Sequence, residues 1–341
     1  MLILSCMKQL FAFSFVFIFC CSILFFSGCF QNQTESGVIH ILGKKKYASL
    51  TEALQFATDN DTLVFSEGIF EAGVHINQTL SLKGEHEKDT ILYCDQPGKD
   101  AVIMLNADNC HLENLSIRST DSSMTLIKIR SDSNQFKNVT LNNGYYGVYL
   151  TSGSDQNSFF TLNTFNCSYG CFAKSSMNNT FVHCSFFQSS LYGIFLSFSS
   201  ENKFSHCSFM FNDEYGSYID RGSNYNHIQH CDFSKNGAGL RLKSVKNCSC
   251  FNSSFKENDE GLVLCCGSNN NTVAMNAFVE NKVQATDEIG NQWSVNNTGN
   301  FWNDYQIKYP LATADDGVWT QPYEIDSFGI DKYPLVLNPL N

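Results

Sequence analysis

Gly147, Gly170, Gly193, Gly216, Gly239 and Gly261 follow one another at intervals of 23, 23, 23, 23 and 22 residues. A fixed period in that range means a repeat architecture in which each repeat is one coil of a solenoid. What surrounds the glycines decides which solenoid. Alternating apolar residues come after them: Val148 and Leu150, Ile194 and Leu196, Leu240 and Leu242, Leu262 and Leu264. Period-two placement puts these on one face of a strand, pointing inward. Two further apolar rows precede the glycines. One is Phe186, Phe209, Phe233, Phe255 and Phe278; the other is Phe181, Phe204, Ile228, Cys250 and Val273. Near the start of most coils stands an asparagine: Asn134, Asn157, Asn179, Asn202, Asn226 and Asn271. Asparagine tolerates left-handed bends and can hydrogen-bond to its own image one coil away.

Three short strands per coil, separated by bends carrying Gly and Asn, describe an all-β chain: a single-domain right-handed parallel β-helix of about 22–24 residues per coil. A helical repeat does not fit. No coil holds a 3.6-period stretch long enough for two helices, and β-branched, aromatic, Asn and Ser residues dominate. Residues 40 to 300 make about eleven coils, a rod of roughly 50 Å at about 4.8 Å per coil. Its open ends need caps. Ser49-Leu-Thr-Glu52 is a capping box that opens a short N-terminal helix, with Leu50, Ala53, Leu54 and Ala57 on one side and Asn60 and Asp61 at its end. Strand residues Thr62 to Phe65 follow.

The segments Asp61-Thr-Leu-Val-Phe-Ser-Glu-Gly68 and Leu80-Ser-Leu-Lys-Gly84 resemble the opening coils of the pectate-lyase-like superfamily of right-handed β-helices. The other end resembles something narrower. Gly299-Asn-Phe-Trp-Asn-Asp-Tyr305, followed by Tyr323, Ile325, Asp331, Tyr333, Pro334 and Leu335, looks like the closing signature of NosD-like β-helix proteins. That resemblance implies the fold and a link to a periplasmic factor in copper maturation of nitrous-oxide reductase. The family tail often carries an Asp-rich, calcium-loop-like stretch. Here it is reduced to Ala314-Asp-Asp-Gly-Val318, and two adjacent carboxylates fall short of the six to eight oxygens that calcium takes.

Residues 1–28 resemble a lipoprotein-type signal peptide. Lys8 is the only charge before an apolar core from Leu10 to Phe26, and Phe26-Ser-Gly-Cys29 resembles a processing box with lipid on the Cys29 sulfur. Residues 29–37 make a polar tether, 38–298 the β-helix and 299–341 a NosD-like C-terminal tail. The expected address is extracytoplasmic, membrane-anchored at the cell surface or in the periplasm. The chain carries −11 at pH 7. An acidic rod without a basic patch is a poor nucleic-acid binder.

Eleven cysteines follow Cys29. Cys184, Cys207 and Cys231 share one repeat position and would stack as a ladder, in keeping with cysteine's behaviour as a small hydrophobe. Each follows a histidine, and His183, His206 and His230 beside them could offer nitrogen and sulfur to copper or zinc. Adjacent strand residues usually point to opposite faces, so no cofactor is assigned on this ground.

The surface beside the glycines holds the stronger site. Two residues after each glycine the row reads Tyr149, Phe172, Phe195, Tyr218, Arg241 and Val263; immediately before them stand Tyr146, Tyr169, Tyr192 and Tyr215. The next outward row includes Lys174, Asp220 and Lys243. An outward aromatic strip is a binding surface or a covered one. Rings stack on sugar faces while charges and amides bind hydroxyls and carboxylates. The expected ligand is therefore a polysaccharide or a cell-surface protein, held by Tyr149, Phe172, Lys174, Phe195, Tyr218 and Arg241. The first alternative is a polysaccharide lyase or epimerase acting on uronate polymers, with Asp220, Arg241 and Lys243 as base and carboxylate clamp. The second is a copper-handling accessory protein, implied by the family resemblance alone.

Overall fold

The computed structural model of the chain describes residues 37–96 and 98–340. The expected leader, Cys29 and the expected tether as far as residue 36 lie outside them. The described chain is a right-handed parallel β-helix. A middle coil shows the plan: strands Thr180–Val182, Ser185–Phe187 and Tyr192–Ser197 lie on Lys203–Ser205, Ser208–Met210 and Tyr215–Ile219 of the next coil. Phe181 registers with Phe204, Phe186 with Phe209 and Phe195 with Tyr218. The glycine strands form one ten-stranded parallel sheet, from Val74–Ile76 to Val283–Asp287. The rod therefore has ten coils on this face rather than about eleven, because the first strands, Ile39–Ile41 and Thr62–Phe65, pair antiparallel as part of the cap.

The bends are not built as the sequence pattern suggests. The periodic glycines sit inside strands with ordinary φ. A Cβ on Gly193 would lie 2.5 Å from the Gly216 carbonyl oxygen, and one on Gly216 would lie 2.6 Å from that of Gly239. Close approach of neighbouring coils, not left-handed backbone, keeps them small. The left-handed positions are taken by other residues, such as His183 (φ 54°), Gln188 (φ 51°) and Phe198 (φ 53°) in one coil. The ladder asparagines follow such bends and are buried. Asn179 Nδ2 donates to Asn202 Oδ1 at 3.1 Å, and Asn202 Nδ2 to Asn226 Oδ1 at 3.2 Å. A second ladder links Asn212, Asn236, Asn258 and Asn281. These amides satisfy polar groups inside the wall that water cannot reach.

Within the rod, phenylalanines stack coil upon coil. Phe186, Phe209, Phe233, Phe255 and Phe278 have centroids 4.7–5.2 Å apart and end on Trp302 at 4.4 Å. Full burial of each ring contributes about 1.5–3 kcal/mol. The cysteine row belongs to this interior: Cys184, Cys207 and Cys231 are buried, and the same row continues as Ser253, Asn276 and Asn300. None of the eleven described cysteines is paired. Burial pushes the Cys184 and Cys231 thiols well above the ordinary thiol range.

Both ends are closed. The helix Leu50–Phe56 starts where Ser49 Oγ accepts from Glu52 N, and it turns Leu50 and Ala53 into the core. It ends at Phe56, before Asn60, whose φ of 70° turns the chain into the next strand. At the other end the tail signature makes a plug. Asn300 extends the amide ladder, and its backbone N–H donates to Asp331 Oδ2 at 2.7 Å. Trp302 terminates the ring stack, donates from Nε1 to the same oxygen at 3.0 Å and carries Tyr323 at 4.2 Å. Gly299 leaves room for Asp331, whose carboxylate oxygen would lie 1.9 Å from a Cβ there.

Candidate functional site

The outer face of the glycine sheet carries one unbroken row. Tyr149, Phe172, Phe195 and Tyr218 stack at centroid distances of 5.2, 5.1 and 5.0 Å with interplanar angles of 12–16°. Parallel register with a glycine before each ring holds every ring over its neighbour. Beside them Tyr146, Tyr169, Tyr192 and Tyr215 run at 5.1–5.3 Å. All eight rings are half-buried by each other and open on the outside. Among the described residues the tail's hydrogen bonds and ring contacts go to the last coils, and Leu340 lies near His206 and His230.

Cations close both ends of the row. Arg241 is in register with Tyr218; its guanidinium sits 5.5 Å from the Tyr215 ring and donates to the Tyr215 hydroxyl at 2.8 Å. Lys243 Nζ lies 6.0 Å from the Tyr218 ring, and the hydroxyl–ammonium contact holds the Lys243 pKa above its usual range. Asp220 adds a carboxylate within electrostatic reach of Lys243 and Tyr218, and its Oδ1 is buried without a hydrogen-bond partner. Lys174 is exposed at the end of its strand, in register with Ser197. The structure thus brings Tyr218, Asp220, Arg241 and Lys243 together, with Lys174 on the same outward face two coils away.

At the opposite end stands Lys128, which sequence reading missed. It is in register with Tyr149, with Nζ 6.0 Å from that ring. Leu126 takes the glycine position in its coil, so the glycine period does not reveal it. The inward pair Ile127 and Ile129, matching Val148 and Leu150, could have done so. Tyr145 was missed too; it is 37% exposed and packs its ring 4.7 Å from Tyr146. From Lys128 to Arg241 the row spans five coil steps, about 24 Å.

Burial sets the acidity of the strip. Desolvation raises the Tyr146 hydroxyl to about 12, helped by the neighbouring tyrosines. It also raises Tyr192, with Glu214 adding to the effect. Tyr218 is raised by burial against the opposing pull of Lys243. These hydroxyls stay protonated near neutrality and present hydrogen-bond donors.

The histidines and ladder cysteines part company. His183, His206 and His230 occupy the left-handed bends and face solvent, with rings 4.9 Å apart at each step, while the cysteines after them point into the core. No nitrogen–sulfur donor set forms from these pairs. Asp315 ends the strand Ala314–Asp315 and Asp316 opens the two-residue turn to Val318–Trp319; both are exposed, and the turn residues Asp316 and Gly317 have positive φ.

The sequence pattern of the family described as "Periplasmic copper-binding protein (NosD)" matches residues 82–307, about two thirds of the chain. No curated protein matches. Among solved structures, an alginate lyase from Paenibacillus sp. is 13% identical over 74% of this chain and 93% of its own, with a TM-score of 0.57. The Azotobacter vinelandii mannuronan C-5 epimerase AlgE4 A-module is 10% identical over 73% and 87%, with a TM-score of 0.51. Geobacillus virus E2 ORF18 is 14% identical over 67% of this chain, which spans 57% of the viral protein's length, with a TM-score of 0.48. At these identities the likeness to the lyase and to the epimerase module shows the fold alone.

Proposed function

The chain belongs to the NosD family, and from that premise we propose an extracytoplasmic β-helix that binds an acidic polysaccharide along its aromatic sheet face. One observation carries the reading: a half-exposed, in-register ring stack, Tyr149–Phe172–Phe195–Tyr218, flanked by Lys128 and by Arg241 with Lys243. A stack rising about 4.8 Å per coil offers repeated flat apolar faces to a linear polymer. Cations at its ends recognise carboxylates, and protonated tyrosine hydroxyls donate to sugar oxygens. The alginate lyase and the mannuronan epimerase, whose fold this chain shares, act on uronate polymers by their names, which supports the substrate class.

The test is affinity electrophoresis of the purified protein through gels holding alginate, pectate or a neutral glucan. Retardation by a uronate polymer, abolished by joint replacement of Tyr149, Phe172 and Phe195 by alanine with the fold intact, is the expected result. Equal migration in all gels overturns the reading.

A second reading is favoured by the unpartnered Asp220 Oδ1 beside Lys243, with Arg241 on the same coil as that lysine. There Asp220 takes the proton next to a uronate carboxylate while the two cations hold that carboxylate, as a lyase or epimerase requires. New unsaturated ends or an altered epimer ratio, lost in Asp220→Asn, would support it. A copper role rests on the family description alone, and the outward histidines are its candidates. The membrane anchor rests on Cys29, and lipid labelling lost in Cys29→Ser is its test.

A further inference from the structure

Cys265 and Cys266 stand where the strand alternation ends at a left-handed bend, the place that Ser175, Phe198 and Ser244 hold in other coils. Cys265 ends the strand Glu260–Cys265 in the outward row, in register with Lys243. Cys266 takes a left-handed backbone, φ 59°, so its side chain returns to the side of its neighbour instead of opposing it. The two sulfurs come within 3.3 Å. Glu288, one coil further, faces them, and its Oε2 accepts from Cys266 N at 2.6 Å. Donor atoms of all three lie within 4.8 Å of one another, and no other His, Cys, Asp or Glu trio does so among the described residues.

We propose that Cys265, Cys266 and Glu288 bind one thiophilic divalent cation, Zn²⁺ by the chemistry of the set, with its fourth position open to solvent. Two thiolates about 2.3 Å from a tetrahedral zinc lie roughly 3.8 Å apart, so the sulfurs need to separate by about half an ångström. The carboxylate is already held by a backbone N–H through one oxygen, which leaves the other for the metal. It also separates this set from a Cu(I) site, which takes soft donors only. Charge balances as well. Arg241 Nη2 donates to Cys265 Sγ at 3.5 Å, so two thiolates and a carboxylate face a dication and a guanidinium. Access is open, since Cys266 and Glu288 are exposed while Cys265 is buried. Thiols lose their protons when they bind a cation, so uptake releases protons and strengthens with rising pH.

The test uses the full chain, kept reduced and stripped of metal by a chelator, with alkylation showing both thiols free. Titration with Co²⁺ is expected to give a thiolate-to-metal charge-transfer band that saturates at one equivalent and is bleached by Zn²⁺. Cys266→Ser should abolish the band. Glu288→Gln should weaken Zn²⁺ by about tenfold or more. Both side chains are exposed, so the metal-free variants should melt like the parent, and zinc should raise Tm in the parent most. No band from free thiols overturns the proposal. So does a band that survives Cys266→Ser, which moves the ion elsewhere. Affinity unchanged in Glu288→Gln, with Cu(I) preferred, leaves a bare dithiol and overturns it too.

Discussion

Two stacks of aromatic rings run along this rod, one inside and one outside. Inside, Phe209, Phe233 and Phe255 lie 4.7 and 4.9 Å apart, at interplanar angles of 5° and 3°. Outside, Phe172, Phe195 and Tyr218 lie 5.1 and 5.0 Å apart, at 12° and 16°. The geometry is nearly the same because both inherit it from the spacing of parallel strands. The surroundings differ. The inner rings are 0–1% exposed, whereas each outer ring keeps one edge in water. Ring stacking in a β-helix is therefore no sign of function by itself; exposure and the company of charge distinguish the two.

The sharpest way to break this comparison is to truncate one ring of each kind. Phe209→Ala removes a ring packed on both sides and should cost about 3–5 kcal/mol. Phe195→Ala removes contacts that water partly replaces, and should cost under about 1 kcal/mol. Urea midpoints measure both. Equal losses would make the outer stack a structural element and remove its claim to a ligand.

The inner stack ends on a buried carboxyl group, where the outer one ends on cations. Asp331 accepts from Trp302 and Asn300, yet burial outweighs those bonds and raises its pKa to about 6. A carboxyl raised in the folded state binds its proton more tightly there than in the unfolded chain. Its contribution is fully present below the unfolded value of about 3.8 and is lost as pH rises through about 6. The swing is on the order of 2–3 kcal/mol. Stability measured from pH 4 to 7 should fall by that amount in the parent, and the fall should flatten in Asp331→Asn. An identical profile in both would place the titration elsewhere.

The wall between the stacks depends on glycine. A methyl on Gly216 would meet the Gly239 carbonyl oxygen at 2.6 Å and Asn236 Nδ2 at 3.0 Å. Gly216→Ala should cost roughly 1–3 kcal/mol by overpacking. It should also separate Tyr218 from Arg241, so urea midpoint and polymer retention should fall together. Loss of retention alone would show that the glycine shapes the outer face only.

Those glycines were the most legible feature of the sequence, although their reason was not. Their period gave the coil, the ladder asparagines and the inward rows, because each coil repeats the same contacts and so the same residue types. Their role looked like that of bend residues, because a period says that a position is constrained and not by what. Only the register shows a carbonyl oxygen where a Cβ would go. The outer rings were legible for the same periodic reason. Lys128 was not, since Leu126 interrupts the period just where the strip begins. The trio of Cys265, Cys266 and Glu288 was beyond sequence reading, because two adjacent residues share a side only when the second is left-handed, and Cys266 is not a residue type that announces it.

The smallest effect tests the ends of the strip. Lys128 and Lys243 stand at opposite ends of a row about 24 Å long, more than twice the Debye length of about 10 Å at 0.1 M salt. Each should sense a different carboxylate of one polymer. Lys128→Ala and Lys243→Ala should each weaken retention two- to fivefold at low salt and very little at high salt, by the ordinary magnitude of exposed charge pairs. Their effects should add within about 0.5 kcal/mol in the double variant. Aromatic variants should instead lose retention at every salt concentration, since ring contacts are not screened. A salt-sensitive loss from Phe195→Ala, or strong coupling between the two lysines, would mean that one compact group is bound near one end and that the length of the stack serves the wall rather than the ligand.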